Sequence, residues 1–431
     1  MKDFDRDGAQ DVPFAPPLRE PHGLGDAHAR GTSADRGASI AVVAAPAFRK
    51  RTAVAAVALF VVAVALLAEL ALSLALPRSD FLEADLQDHP ILGQMIKPGD
   101  NGHDALGFRN PRFPAQADIV AIGDSNTYGV NARSHESWPG HLQSILGRTT
   151  YNAALGGFGP LHHLYAAREM TPRFAPKVQI VAMYLGNDLV DAYNLAHEKD
   201  HWTAYRIGVR PKGVLTEGER LWHEANAREV NARFMGPLRD WLAMNSMLYS
   251  VVRHVVLTPA AIALRQKKTT LDDPEMKMPW VDPKHPEVKL VFTSKVILAA
   301  EDPDVPQIEE GIRISERALA EIAQDAKARG VKLVLAFIPT KERAYCRSLR
   351  ANGAMLPAPH ARICDIEPAI QARLARVVQN NGVPVVDTTP ALEAAIERGV
   401  KIYPQGVDTH AVSAGYRVMA ETIAAAVKPL L

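Results

Sequence analysis

Apolar and polar positions divide the chain into three textures. From residue 1 to about 48, charges of both signs mix with Pro13, Pro16, Pro17, Pro21, Gly23 and Gly25, and no apolar period emerges. That predicts a tail that does not fold on its own. Ala53 to Leu76 is then apolar almost without interruption, broken by Glu69 near its far end. A run of about 20 such residues spans the hydrocarbon core of a bilayer, so residues 52–76 are the candidate transmembrane anchor. From residue 80 to 431 short apolar runs alternate with amphipathic stretches. Residues 117–122 (ADIVAI), 149–154, 178–185 (VQIVAMYL), 331–338 (VKLVLAFI) and 383–386 read as strands. Residues 136–146, 161–170, 308–329, 363–381 and 413–427 read as helices, two of them stopped by Gly330 and Gly382. Buried strands alternating with helices imply an α/β fold with a central parallel sheet covered on both faces.

Two segments do not follow this alternation. Residues 80–115, with Gly107-Phe108-Arg109-Asn110, read as an extended lead-in. Residues of about 190–305 carry Trp202, Trp222, Trp241 and Trp280, a helical stretch around 217–256 and a Pro- and Lys-rich passage from Lys267 to Pro286. A plain crossover needs far less chain. This is an insertion, read as a lid, a partner surface or extra packing near the carboxyl edge of the sheet. No repeat of solenoid length is visible.

Charge orients the apolar run. Arg49-Lys50-Arg51 precedes it and Asp80, Glu83, Asp85 and Asp88 follow it. The positive-inside rule then puts the N-terminus in the cytoplasm and everything beyond Leu76 outside it, in the periplasm or its equivalent. A cleaved signal peptide is the alternative, against which stand the length of the run and of the tail before it. A buried soluble helix is the other, since the run is apolar on every face. Glu69 is placed near the interface or against a partner helix.

Over the whole chain, 49 Lys+Arg balance 48 Asp+Glu, which removes the basic footprint of a nucleic-acid binder. The 47% apolar content excludes global disorder. Two cysteines are too few for a disulfide-built scaffold or a four-cysteine zinc site. Cys346 and Cys364 suit a disulfide in an oxidising compartment, with two separate thiols as the alternative.

The first strand runs into Gly123-Asp124-Ser125-Asn126-Thr127-Tyr128-Gly129. Ligands of open α/β sheets bind at the carboxyl ends of strands. A serine on such a turn is exposed and feels the positive end of the next helix, which favours a nucleophile or an anion site. Alone, the serine reads equally as a helix cap. Three further blocks add to it: Asn152-Ala153-Ala154-Leu155-Gly156-Gly157-Phe158-Gly159 after the second strand, Gly186-Asn187-Asp188 after the third, and Asp408-Thr409-His410 before the last helix.

In the order and context of these four blocks the sequence resembles the SGNH/GDSL hydrolase superfamily over roughly residues 90–431. The resemblance implies a flavodoxin-like three-layer fold and a serine esterase or acyltransferase. Carried over block by block, it makes Ser125 the nucleophile, His410 the base and Asp408 its orienting acid. The backbone N–H groups of Ser125 and Gly157 and the side-chain amide of Asn187 would form the oxyanion hole. These residue types fit the chemistry, because an imidazole must take the serine proton and donors must be preplaced for the developing oxyanion. Many relatives space the pair as Asp-x-x-His. The shorter Asp-x-His here is similar to the Asp-Thr-His of the alginate O-acetyltransferase branch, as is Pro339-Thr340-Lys341 followed by Tyr345. Where relatives often carry an Asn two residues after the histidine, this chain has Val412.

Other polar residues receive plainer readings. His162-His163 reads as helix surface, not metal, because adjacent helical side chains diverge by about 100°. Asp188 and Asp191 read as loop-capping, solvated groups or substrate contacts, Asp124 as a backbone hydrogen-bonder, and Lys341 as a solvated loop charge or a substrate contact. The expectation is an extracytoplasmic, membrane-anchored esterase or O-acyltransferase acting on acyl groups of a glycan or envelope molecule, without metal or organic cofactor. Lipid or small-ester hydrolysis is one alternative. A non-catalytic, glycan-binding subunit of an envelope polysaccharide assembly is the other.

Overall fold

The computed structural model describes residues 47–209, 220–221, 236–257 and 276–431, with side chains from residue 53 onward. The tail before Ala47, Trp222, much of the 217–256 helical stretch and the first part of the Lys267–Pro286 passage, 267–275, lie outside the described residues. In chain order the elements are helix α1 (Ala47–Ala75), hairpin β1 (Leu86–His89) and β2 (Gly93–Ile96), then β3 (Ile119–Gly123), α2 (Ser125–Tyr128) and α3 (Trp138–Leu146). Next come β4 (Thr150–Ala154), α4 (Pro160–Phe174), β5 (Val178–Tyr184), α5 (Asp188–Glu198), α6 (Gly236–Asn245) and α7 (Met247–Val252). Hairpin β6 (Met278–Val281) and β7 (Lys289–Phe292) precedes α8 (Ser294–Glu301), α9 (Pro306–Ala328), β8 (Lys332–Ile338) and α10 (Lys341–Ala351). The chain ends with α11 (Ala358–Gln379), β9 (Val385–Asp387), α12 (Thr389–Glu397) and α13 (Ser413–Val427).

Residues to Phe60 form one unit and Val61–Leu431 a second. Within α1, Ala53–Ala75 is a 23-residue apolar span whose mean hydropathy reaches 2.7 over an 18-residue window. At 1.5 Å per residue that is about 34 Å of helix, enough for a hydrocarbon core of about 30 Å.

In the second unit β4-β3-β5-β8-β9 form one parallel sheet in that order. Counting only these strands, the order is 2-1-3-4-5, the flavodoxin-like winding. Alternation along β3 shows why the sheet needs cover on both sides: Val120 and Ile122 join one core with Leu161, Leu189, Ile312 and Leu319. Ile119 and Ala121 join the other with Trp138, Leu142, Leu392 and Tyr416. Fully burying a Val or Ile side chain contributes about 1.5–3 kcal/mol, so a one-residue slip of β3 would exchange several such terms. The expected three-layer α/β fold is what forms.

Sequence pattern missed two hairpins and the helices α5, α8, α10 and α12. Strand β1 reads Leu-Gln-Asp-His with mostly exposed side chains, and β6 contains Pro279, so neither shows a strand signature. Helix α10 is strongly polar, yet Lys341, Glu342, Tyr345 and Cys346 are buried in it. Cys346 is disulfide-bonded to Cys364 of α11, so the alternative of two free thiols does not hold.

The reading of His162 and His163 as helix surface is corrected: both are buried on α4. His162 Nδ1 accepts from the Gly159 N–H at 3.0 Å, its Nε2 lies 3.2 Å from the Leu92 carbonyl, and its ring stacks on Phe158. Burial pushes the two imidazoles down to about 4 and about 3. The cover over His162 includes the β1–β2 turn, an element the pattern did not reveal.

Beneath α10 and α11 lie three buried carboxyls. Glu342 accepts from Thr293 N–H at 2.8 Å, and Glu367 accepts from the Thr340 hydroxyl at 2.6 Å and its N–H at 3.2 Å. Both Glu301 oxygens lack a partner among the described residues. Burial pushes Glu367 up to about 7 despite the Thr340 bonds, and pushes Glu301 well above the ordinary range with help from Glu367 and Glu342. A carboxyl whose folded pKa is raised contributes fully below its unfolded value of about 4.3, and that contribution is lost as pH rises toward the folded value. Glu301→Met in the detergent-solubilised chain is therefore expected to raise the melting temperature more at about pH 8 than at about pH 4. A gain of equal size at both pH values would exclude Glu301 ionisation as its source.

Candidate functional site

Strand β3 ends at Gly123, where a Cβ would lie 2.1 Å from Thr127 Oγ1, so the turn into α2 closes only on glycine. Asp124 caps α2: its Oδ1 accepts from Asn126 N–H at 2.9 Å and its Oδ2 from Asn126 Nδ2 at 3.2 Å. This is the backbone-bonding role the sequence assigned to it. Asp124 is wholly buried, and desolvation pushes its carboxyl up against the opposing pull of His410 and Asn126. Ser125 opens α2 and stays partly exposed.

His410 Nε2 lies 2.9 Å from Ser125 Oγ, and its Nδ1 lies 2.8 Å from Asp408 Oδ1. An Nδ1–H donated to the carboxylate leaves Nε2 as the acceptor facing the serine. Ser125 Oγ also lies 3.3 Å from Asp124 Oδ2, a longer contact than the one to the imidazole. Burial alone would raise Asp408, but the hydrogen bonds and charge of His410, with Asn131, hold it down to about 2. Asp408 therefore stays ionised until pH falls through that value, and Asp-x-His spacing suffices for the pairing. The backbone N–H of His410 also donates to Asp408 Oδ1 at 2.9 Å, closing the short turn on its own side chain.

The turn carrying Asp408 is held from beneath. Lys341 is fully buried, and its Nζ donates to the carbonyls of Val291 at 2.8 Å, Val407 at 3.1 Å, Asp408 at 3.1 Å and Gly406 at 3.4 Å. Neither expected role for Lys341, solvated charge or substrate contact, survives this placement. Burial pushes its ammonium down, offset by Glu342 and Asp408. Leu290 of β7 forms an isolated bridge with Gly406, and Val291 N–H donates to the Gly406 carbonyl at 3.0 Å. On the other side Asn131 Nδ2 donates to the His410 carbonyl at 3.3 Å.

The other two blocks sit at the carboxyl ends of neighbouring strands, since β3 pairs with both β4 and β5. A Cβ on Gly156 would lie 3.8 Å from that of Ser125, and Gly157 adopts a left-handed φ of 78° with open space beside it. Asn187 Nδ2 donates one N–H to Asp191 Oδ2 at 2.7 Å. Its Oδ1 is buried without a partner among the described residues. Asp188 is fully buried, not solvated: its Oδ2 accepts from Tyr184 N–H at 2.9 Å, and burial with the nearby Asp124 pushes it well up.

Sequence reasoning missed Arg109 and Asn131. Arg109 is buried and donates to the carbonyls of Tyr128 (2.6 Å), Gly129 (2.8 Å) and Ala132 (3.2 Å), closing the far end of the α2 turn. Nothing in the local pattern marks a lead-in arginine as the cap of a helix formed by Ser125–Tyr128.

The profile of the SGNH hydrolase-like domain of acetyltransferase AlgX matches residues 292–431. That stretch holds Lys341, Asp408 and His410 but neither Ser125, Gly157 nor Asn187. No curated protein matches the chain. Among solved structures, an α/β hydrolase enzyme (LAE5) from the metagenome of Lake Arreo is 13% identical over 74% of this chain and 98% of its own, with a TM-score of 0.34. A GDSL-like lipase from Bacteroides thetaiotaomicron is 12% identical over 73% and 88%, with a TM-score of 0.31. An acetylxylan esterase, Axe2 from Geobacillus stearothermophilus, is 10% identical over 74% and 95%, with a TM-score of 0.30. Overlaps this loose are no guide to substrate or mechanism.

Lys341 touches the pair only through backbone carbonyls, so it is a positioning residue. Lys341→Met is expected to broaden or abolish the downfield proton resonance of the His410–Asp408 bond while far-ultraviolet circular dichroism stays unchanged. Persistence of that resonance at its parental position would show that the turn holds without the lysine.

Proposed function

From a chain that carries an SGNH/GDSL-type hydrolase domain, we propose a membrane-anchored serine esterase or O-acyltransferase acting outside the cytoplasm on acyl groups, O-acetyl foremost, of a glycan. The observation that carries this reading is the relay of Ser125 Oγ to His410 Nε2 at 2.9 Å and of His410 Nδ1 to Asp408 Oδ1 at 2.8 Å. In the first step His410 takes the Ser125 proton as Oγ attacks the acyl carbonyl carbon. The tetrahedral oxyanion is received by the N–H groups of Ser125 and Gly157 and by the second N–H of the Asn187 amide, the first being held by Asp191. Collapse expels the alkoxide, which takes the proton back from His410 and leaves acyl-Ser125. Water or a sugar hydroxyl then attacks that ester by the same route in reverse, giving hydrolysis or transfer.

Two features support the location. Ala53–Ala75 is long and apolar enough to span a bilayer, with Arg49-Lys50-Arg51 before it. A disulfide joins Cys346 and Cys364, which suits an oxidising compartment. The glycan is the step that rests on the likeness to the AlgX domain, whose printed description is that of an acetyltransferase.

The full chain in detergent should release p-nitrophenol from p-nitrophenyl acetate. Ser125→Ala should lower that rate by at least about 10³-fold, and an acetyl adduct found by mass spectrometry on Ser125 of the parent should be missing. Equal rates from both proteins would reject Ser125 as nucleophile and return the non-catalytic reading. A reporter fused after Leu431 should be active only when it reads the extracytoplasmic side; activity in the cytoplasm would overturn the orientation.

A further inference from the structure

One side of α6, and of α7 with the turn that follows it, presents apolar residues that lack cover. Leu238 and Trp241 of α6 are 52% and 58% exposed. In α7 and the π-turn Arg253–Leu257 that continues it, Val252, Val255, Val256 and Leu257 are also exposed, Val255 to 62%. Their three- and four-residue spacing puts Val252, Val255 and Val256 on one side. The opposite side faces protein. Met247 is buried with Phe81 and Leu82, Ser250 is fully buried, and Arg253 pairs with Glu83 at 2.7 Å.

What lies next to this segment says what covers it. Glu69 of α1 caps the first turn of α7, accepting from the Ser246 hydroxyl at 2.8 Å and from the N–H groups of Met247 at 2.7 Å and Leu248 at 3.0 Å. Leu72 and Leu76 of α1 and Val251 pack on the same small cluster. The carboxylate inside the apolar run is thereby matched to the orphan donors at a helix start, where both a charge and N–H groups would otherwise be left unpaired in lipid. Helix α7 therefore starts at the depth of Glu69, within the apolar span Ala53–Ala75. An exposed tryptophan beside a row of valines is the composition of a segment seated at the lipid–water boundary.

We propose that residues 236–257 form a second membrane-contact element, lying in the bilayer interface beside α1 and docked to it through Glu69. The occupant of the apolar face is lipid. This rests on the reading of α1 as an anchor, and it means the hydrolase domain is seated against the membrane surface instead of swinging on a tether. A site held close to the bilayer suits acceptors that are themselves presented there.

The test uses the full chain in phosphatidylcholine nanodiscs containing nitroxide-labelled phosphatidylcholine. Both native cysteines are disulfide-bonded, so single introduced cysteines take an environment-sensitive fluorophore selectively. Labels at Val256→Cys and Trp241→Cys should be quenched at least about half as strongly as one at Leu66→Cys in α1, with blue-shifted emission. A label at Met355→Cys, 93% exposed on the hydrolase domain, should stay unquenched. Strong quenching at Leu66 with none at Val256 and Trp241 would leave the anchor standing and overturn the proposal, pointing to a protein partner for that face. Absence of quenching at Leu66 would remove the anchor and the proposal together.

Discussion

The site depends on one buried ammonium. Ser125 and His410 are 285 residues apart in the chain and meet at 2.9 Å. Ser125 is fixed by a sheet strand and a capped helix, but His410 stands on a connection with no regular structure. Alongside Asn131 and the β7 bridge, it is fixed by Lys341, whose three N–H donors face four carbonyl oxygens from β7 and the turn 406–408. Burying an ammonium costs several kcal/mol unless its hydrogen bonds are made, and each buried carbonyl left unpaired costs about 1–3 kcal/mol. Lysine and turn therefore specify each other: the buried charge needs the carbonyls in this arrangement, and the Val407 and Asp408 carbonyls take their hydrogen bonds from it.

The carboxyls around the serine are sorted by environment in the same way. Asp408 is held ionised by His410, with its carboxyl at about 2. Asp124 and Asp188, both fully buried, are pushed the other way. Two unit charges 4 Å apart repel by about 4 kcal/mol at an effective dielectric constant near 20, so under the proposed function extra carboxylates beside the serine would work against an oxyanion. The raised Asp124 and Asp188 favour their neutral forms, while Asp408, held low, keeps its charge beside the imidazole. The two buried aspartates keep a structural use as hydrogen-bond acceptors for Asn126 and Tyr184 N–H groups.

The layering of the fold was legible because buried parallel strands announce themselves as short, continuous apolar runs. β3, β5 and β8 fall within a residue or two of the stretches read from the sequence. The meeting of Ser125, Asp408 and His410 was legible because each sits at a strand end or helix start, which order and spacing reveal. What pattern could not show was which polar residues would be covered. Lys341, His163 and Asp188 are charged or polar in sequence, yet tertiary packing makes all three interior. Strand β1 is short and mostly exposed, and β6 is short and contains Pro279, so neither leaves a run that pattern can find.

That covering recasts the long segment between β5 and α9. Its carboxyl part, β7, bonds the Gly406 turn and shares Lys341 with it, while Glu342, next to that lysine, ties Thr293 just beyond β7. Its earlier helix α7 is capped by Glu69 of α1. The segment is thus bonded both to the apolar helix and to the turn that carries Asp408, and it acts on the serine's neighbourhood from below. Among the described residues, then, this segment braces the turn: loosening β7 would shift the imidazole relative to Ser125, and under the proposed function that effect would fall on the chemical step.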